Sequence, residues 1–296
     1  VHPRHASGCS PMDAPCARVQ RGAHSLHPSW KARRRRTPTL TEPNRSLEQM
    51  SPIAALGTGL SVAVFGANGG IGRALIGILQ AEDSVERVYA LSRVRPDNLS
   101  GKTTSIAFDL LDEKSISDAA AVIAAQGPLH LAIIATGLLH DDSGGPEKRG
   151  QDLSEANMQR LFAINTIGPT LIAKHVLPIL DRDRQSVFAA LSARVGSISD
   201  NRLGGWHSYR ASKAALNMML RTLSVELAYR NPRAVCVALH PGTVDTPLSK
   251  PFQSSLSSTG IFSPHQAATN LLGIIAGLSA EDTGSFIAWD GQPISY

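Results

Sequence analysis

Ser61-Val62-Ala63-Val64-Phe65-Gly66-Ala67-Asn68-Gly69-Gly70-Ile71-Gly72-Arg73-Ala74-Leu75-Ile76-Gly77-Ile78-Leu79-Gln80 is the stretch on which the fold turns. Residues 61–65 form a nearly unbroken apolar run, the pattern of a strand buried on both faces. The run 71–80 has helical spacing of its apolar residues. Between them lies a turn with glycines at Gly66, Gly69, Gly70 and Gly72. Glycine permits positive φ and lets backbone come close to a pyrophosphate. The helix that follows offers unpaired N–H groups and a partial positive charge. The spacing is Gly-x-x-x-Gly-x-Gly, not the commoner Gly-x-Gly-x-x-Gly. A glycine turn without ligand is the alternative, and the strand before and helix after weigh against it. Gly66, Asn68, Gly69, Gly70, Ile71 and Gly72 are the candidates for holding phosphate.

The same alternation continues outward. Further strands are expected at 87–91, 104–108, 129–135, 186–191, 234–239 and 285–289, with helices at 71–80, 115–125, 155–180, 208–229 and 264–278. Strand–helix–strand alternation implies parallel strands joined by crossover helices. The expected fold is α/β: one doubly wound (Rossmann) domain, 59–296, around a mostly parallel seven-stranded sheet. Gly127-Pro128 and Asn231-Pro232 end helices.

Residues 1–58 differ from the rest. They carry seven prolines, the run Arg33-Arg34-Arg35-Arg36 and no hydrophobic period, and read as a disordered basic extension. An upstream extension ahead of Met50 and an organellar import segment are the other readings. Residues 1–50 hold nine Lys/Arg against three Asp/Glu, whereas the other 246 hold twenty against twenty-one. The net charge of +5 thus belongs to the extension, and a nucleic-acid partner is not expected for the domain. Three cysteines, Cys9, Cys16 and Cys236, make no disulfide framework, so a reducing, cytoplasmic setting fits. The longest apolar candidate, 129–139, falls short of the roughly 18–20 residues of a membrane helix, and no membrane partner is expected. No metal-ligand set is assigned.

The second strand ends in Ser92-Arg93, where many dinucleotide folds place an acid that holds the ribose 2′-hydroxyl. Serine and arginine suit a 2′-phosphate instead, so NADP(H) is preferred, with NAD(H) as the alternative. Asp109-Leu110 closes the third strand, where the carboxylate either meets an adenine amino group or caps its own loop. Farther on, Tyr209-Arg210-Ala211-Ser212-Lys213 opens a helical stretch, so phenol and ammonium share a face. An ordinary phenol titrates near ~10, and a neighbouring cation favours its ionised form. Such a pair can protonate a carbonyl oxygen while hydride reaches the carbon.

These features together resemble the short-chain dehydrogenase/reductase family from about residue 60 onward. The resemblance rests on Gly66-x-x-x-Gly70-x-Gly72, Asp109, Asn165, a serine after the fifth strand, Tyr209-x-x-x-Lys213 and Pro241-Gly242-Thr243-Val244-Asp245-Thr246. Leu191-Ser192-Ala193-Arg194-Val195-Gly196-Ser197, Gly204-Gly205-Trp206 and Trp289-Asp290-Gly291 are similar to the C-factor and sniffer-type carbonyl reductase branch. The resemblance implies that Tyr209 is the general acid, that Lys213 lowers its pKa and holds the nicotinamide ribose, and that Asn165 supports a proton-relaying water. It also implies that Pro241, Gly242, Thr243, Val244 and Thr246 border the nicotinamide. Two departures stand out. Relatives carry two serines after the fifth strand, and strict register puts Ala193 at the second. Ser192 is taken as the hydroxyl donor, with Ser197 in reserve. The usual Asn-Ala-Gly after the fourth strand reads Ala135-Thr136-Gly137, with Gly137 leaving room for the adenine ribose.

Substrate choice is expected in a lid at 248–262, anchored by Phe252 and Phe262, with a second wall from a flexible loop at 138–150. The expected substrate is a small or medium carbonyl compound. The helices at 155–180 and 208–229 suggest a homodimer or homotetramer, as in relatives. A dinucleotide-binding regulator or developmental signal with little turnover is the competing function.

Overall fold

A computed structural model describes residues 53–142, 144–255 and 260–296. β1 (Leu60–Phe65) leads through the glycine turn into α1 (Gly70–Leu79), followed by β2 (Val85–Ser92) and β3 (Thr103–Ala107). Next come α2 (Glu113–Ala124), β4 (Leu131–Ile134), α3 (Glu155–Phe162), α4 (Gly168–Val176) and β5 (Ser186–Leu191). The chain continues with α5 (His207–Arg230), β6 (Ala234–His240), β7 (Thr243–Val244), β8 (Ile261–Phe262), α6 (Pro264–Ala276) and β9 (Phe286–Ala288).

Seven strands form one sheet in the order β3-β2-β1-β4-β5-β6-β9, and every pairing in it is parallel. This is the expected Rossmann-type sheet. The chain builds outward from β1 to β3, then crosses back to β4 beside β1. A crevice opens at the C-terminal ends of strands where the order reverses.

Strand residues alternate between two packed layers, as the period of two requires. Ala63, Phe65, Phe188, Ala190 and Cys236 face α2, α4 and α5, meeting Ile116, Ile123, Ile172, Val176, Leu216 and Leu220. Val62, Val64, Val187, Ala189 and Val237 face α1 and α6, meeting Leu75, Leu79, Leu271, Leu272 and Ile275. Each valine, leucine, isoleucine or phenylalanine among them contributes about 1.5–3 kcal/mol when fully buried. Cys236 is one of these core groups, and burial pushes its thiol up to about 12.

Among the described residues, packing reaches back to Ile53, within the segment expected as an extension. Ile53 and Leu56 flank a short 3-10 turn and pack into the α1/α6 layer. Residues 1–52, with Cys9, Cys16 and Arg33 to Arg36, lie outside the described residues. The helix expected over 155–180 is divided. A π turn, Ala163–Ile167, separates α3 from α4, and Leu177–Ile179 is a 3-10 turn. Pro169 explains the first break: it has no N–H to give the carbonyl of Asn165 four residues back, so the α pattern cannot pass unaltered. The small pairing of β7 with β8 was not expected from the sequence.

Candidate active site

The glycine turn is fixed from both sides. Gly66 and Ala67 donate to the Leu91 carbonyl at 2.9 and 3.0 Å, and Gly69 donates to Gly66 O at 3.0 Å. Gly66 has φ 89°, and a Cβ on it would lie 2.9 Å from the Ala135 backbone. A Cβ on Gly72 would lie 2.2 Å from Gly66 O, and one on Gly70 2.6 Å from Thr246 Cγ2. Backbone closes around Gly66 and Gly72, so these two admit only glycine, while the Thr246 side chain crowds Gly70. No side chain caps the start of α1, so its first N–H groups face the crevice. Asn68 joins this turn to the end of β2: its Nδ2 donates to Ser92 Oγ at 3.3 Å and to Val94 O at 2.5 Å. Ser92 is buried and also donates to Val94 O, whereas Arg93 is exposed and has no partner among the described residues.

Across the crevice, Ala135, Thr136 and Gly137 follow β4. Thr136 Oγ1 is buried without a hydrogen-bond partner. That orphaned hydroxyl, the uncapped helix and the glycine cradle fit a dinucleotide. Asp109 accepts from Leu111 N–H at 2.9 Å, so one carboxylate oxygen caps its own loop. Leu110 packs against the core and closes on Gly168. Past β6, Pro241 and Gly242 (φ 78°) turn the chain so that Thr243–Val244 pairs with Ile261–Phe262. A side chain on Gly242 would strike Phe262 at 2.7 Å, and Phe262 packs edge to face on Trp289 with centroids 4.6 Å apart.

Tyr209 and Lys213 lie on the buried face of α5. Lys213 Nζ donates to Leu191 O at 2.9 Å at the end of β5, and Gly137 and Asn165 sit beside it. The ammonium thus bridges α5 to the strand ends on both sides of the crevice. Burial pushes the Tyr209 phenol above its ordinary value and pushes Lys213 down to about 8. The lowering of the phenol expected from the ammonium is therefore not a property of this pocket by itself, because loss of water disfavours both charges. Asn165 sits in the π turn, fully buried. It clamps the segment after β4 by accepting from Leu138 N–H and donating to Leu138 O, both at 2.8 Å, and it donates to Ser212 Oγ at 3.1 Å.

Ser192 is the serine expected as the hydroxyl donor. It is buried, and its hydroxyl donates to Asn217 Oδ1 at 2.6 Å, one turn beyond Lys213 on α5. Ala193 is the residue that packs in the cluster with Tyr209, Leu139 and Leu161. Both residues follow the end of β5, and one residue of register separates the expected hydroxyl from the alanine. Ser197, the reserve, donates to Ser295 O near the C-terminus. The lid joins the Tyr209 cluster through Leu248 and Phe252, and Phe252 packs on Trp206 at 5.1 Å and on His140 at 5.5 Å. Phe262 anchors to Trp289 instead, and residues 256–259 of the lid lie outside the described residues. Glu147, in the loop expected to be flexible, was not singled out in the sequence. It is buried and bonded to the first turn of α5, and only the three-residue run Gly204-Gly205-Trp206 hinted at an unusual helix entry.

A nucleotide cradle followed by a buried Tyr-x-x-x-Lys pair at the same strand ends defines a dinucleotide-dependent oxidoreductase acting on CH–OH and C=O groups. The chain belongs to the short-chain dehydrogenase family, whose family model matches residues 61–257. It is 31% identical over 234 residues to 1-hydroxy-2-glutathionyl-2-methyl-3-butene dehydrogenase of Rhodococcus sp. (strain AD45), covering 78% of this chain and 97% of that one. It is 34% identical over 145 residues to C-signal of Myxococcus xanthus, covering 49% and 82% respectively. Among solved structures it is similar to NADPH-bound carbonyl reductase from chicken fatty liver, at 28% identity and a TM-score of 0.69, covering 81% of this chain and all of the other. Among the described residues no helix is long and apolar enough to cross a membrane.

Proposed function

We propose that this protein is an NADP(H)-preferring carbonyl reductase, with NAD(H) as a weaker alternative, acting on a small or medium carbonyl compound with an apolar body. Arg93 carries the cofactor part. It follows β2 beside the glycine turn, exposed and unpaired among the described residues, where a carboxylate would repel a 2′-phosphate. The likeness to an NADPH-bound carbonyl reductase supports the same reading. In this reading Gly66 to Gly72 hold the pyrophosphate, and Ser92 and Arg93 hold the 2′-phosphate. Asp109, Leu110, Ala135, Thr136 and Gly137 surround the adenosine, and Pro241 to Thr246 border the nicotinamide. The bound dinucleotide would supply hydride. Tyr209 Oη gives its proton to the carbonyl oxygen, Lys213 steadies the phenolate left behind, and Asn165 keeps the β4 segment and α5 in register. Leu138, Leu139, Leu161, Val195 and Phe252 line the cluster around Tyr209, which favours an apolar substrate body and water exclusion. The same reading takes the protein as cytoplasmic and as a homodimer or homotetramer.

A fluorescence titration with NADPH and NADH, followed by turnover on aldehydes, ketones and quinones, tests it. Arg93→Ala should weaken NADPH by about 10-fold or more and leave NADH within about 2-fold, as loss of one charge-assisted phosphate contact implies. Tyr209→Phe should abolish turnover. Equal affinities for the two nucleotides would refute the preference. Ala193 beside the phenol, with the likeness to C-signal, favours a second reading: a dinucleotide-binding regulator with little turnover. Tight NADPH binding without reduction of any carbonyl on the panel would select it.

A further inference from the structure

Glu147 lies between β4 and α3, 4% exposed, and its carboxylate sits on the first turn of α5. Oε2 accepts from the Ser208 N–H at 3.2 Å, and Oε1 accepts from the Ser208 hydroxyl. Asn157 Nδ2, on α3, also donates to Oε1 at 2.8 Å, and the Glu147 carbonyl accepts from Trp206 N–H at 2.5 Å. Burial pushes this carboxyl up, but the donors from Ser208 and Asn157 outweigh it and hold Glu147 below its ordinary value. It is a buried, ionised, fully bonded carboxylate.

The helix it meets has no cap of its own. The residue before α5 is Trp206, whose side chain makes no capping bond and whose φ is 52°, in the left-handed region L side chains rarely adopt. Gly204 and Gly205 precede it at φ 64° and 66°. Helices ordinarily satisfy these N–H groups with Ser, Thr, Asp or Asn at the position before the first turn. Here the acceptor comes from another loop, 61 residues earlier in the chain. Asn157, which braces it, accepts from Arg160 Nη2 at 3.3 Å, and the same nitrogen pairs with Asp141 Oδ1 at 3.1 Å. A continuous polar chain therefore runs from the segment after β4, over α3, to the start of α5.

What Glu147 fixes is the segment bearing the chemistry. Trp206 and Tyr209 meet edge to face, centroids 6.2 Å apart, and Trp206 also carries Phe252 of the lid. We infer that Glu147 is a positioning residue: it locks Trp206 in its left-handed turn and sets the Tyr209 hydroxyl at the depth the reaction needs. The inference rests on Tyr209 as the proton donor. Glu147 touches neither the glycine turn nor the Arg93 loop, so its influence falls on the chemical step and not on nucleotide affinity.

Glu147→Gln and Glu147→Ala in the full chain test this, with NADPH, the best carbonyl substrate of the panel and amide hydrogen exchange of the peptide spanning 203–214. Glu147→Gln keeps shape but replaces an acceptor with a donor facing Asn157. It should keep NADPH affinity within about 2-fold and lower kcat by about 10–100-fold with KM changed less than about 3-fold. It should also speed exchange at residues 206–210 by about 10-fold. A kcat within 2-fold of wild type overturns the inference. So does a kcat loss matched by an equal loss of NADPH affinity in both variants, the signature of general destabilisation. Should Glu147→Ala not fold, Glu147→Gln decides alone. Should wild type reduce no carbonyl, the proposed activity fails, and unchanged exchange at residues 206–210 would separately refute the positioning role.

Discussion

Lys213 and Tyr209 stand four residues apart on one helix face, and burial disfavours the charged form of each. The consequence for stability can be measured. Lys213 titrates near 8 in the fold against an ordinary 10.5. Between those values the unfolded chain binds more protons, so stability rises with pH there, and below pH 8 the burial penalty is complete. Cys236 and Tyr209 act oppositely at higher pH, because their raised values keep protons on the fold that the unfolded chain releases. Urea unfolding of the protein without nucleotide at pH 7.5 and 9.5 should therefore show a gain for wild type relative to Lys213→Met of about 1–2 kcal/mol. Parallel curves for the two proteins would mean that the ammonium is not buried as described. Ser192 teaches the complementary lesson. Its presence was legible, but Asn217 claims its hydroxyl, and only the packed helix shows that.

At the scale of elements, the glycines of α1 separate into two kinds that sequence spacing alone does not distinguish. Gly72 has no room, since a Cβ would meet Gly66 O at 2.2 Å, whereas a Cβ on Gly77 meets nothing within 4 Å. Gly72→Ala should destabilise the protein by about 2–3 kcal/mol, the scale of overpacking, and abolish NADPH binding. Gly77→Ala should stabilise it by about 0.5–1 kcal/mol, by lowering the entropy of the unfolded chain in a helix that tolerates alanine. Denaturant midpoints check both, and a stability loss at Gly77 equal to that at Gly72 would contradict the turn geometry. The division of the helix expected over 155–180 belongs to this scale too. The proline that causes it is visible in the sequence, but the π turn that seats Asn165 against Leu138 and Ser212 is a product of packing.

For the whole molecule, the outer face of α5 keeps exposed apolar residues among polar ones such as Arg221 and Thr222. Met218, Val225 and Tyr229 lie on one side of the helix and are exposed, Tyr229 by 87%. The proposed homodimer or homotetramer would cover these residues. Light scattering at micromolar concentration should give a dimer or larger assembly, and Met218→Glu with Tyr229→Lys should shift it toward monomer with the fold kept. A monomeric wild type would remove the proposed oligomer.

The order of strands and helices, the nucleotide turn and the Tyr209–Lys213 pair follow from local pattern: apolar period, glycine spacing and a four-residue repeat are properties of neighbours in the chain. Where the Ser192 hydroxyl is bonded, how burial acts on Tyr209 and Lys213 and which carboxylate caps α5 were decided only in the folded molecule. Each depends on groups brought together from distant segments, Ser192 with Asn217 and Glu147 with Ser208, and on exclusion of water from the space between them. Contacts over such separations leave no periodic trace in a single sequence, because they arise from the crossing of elements and not from the repeat within any one of them.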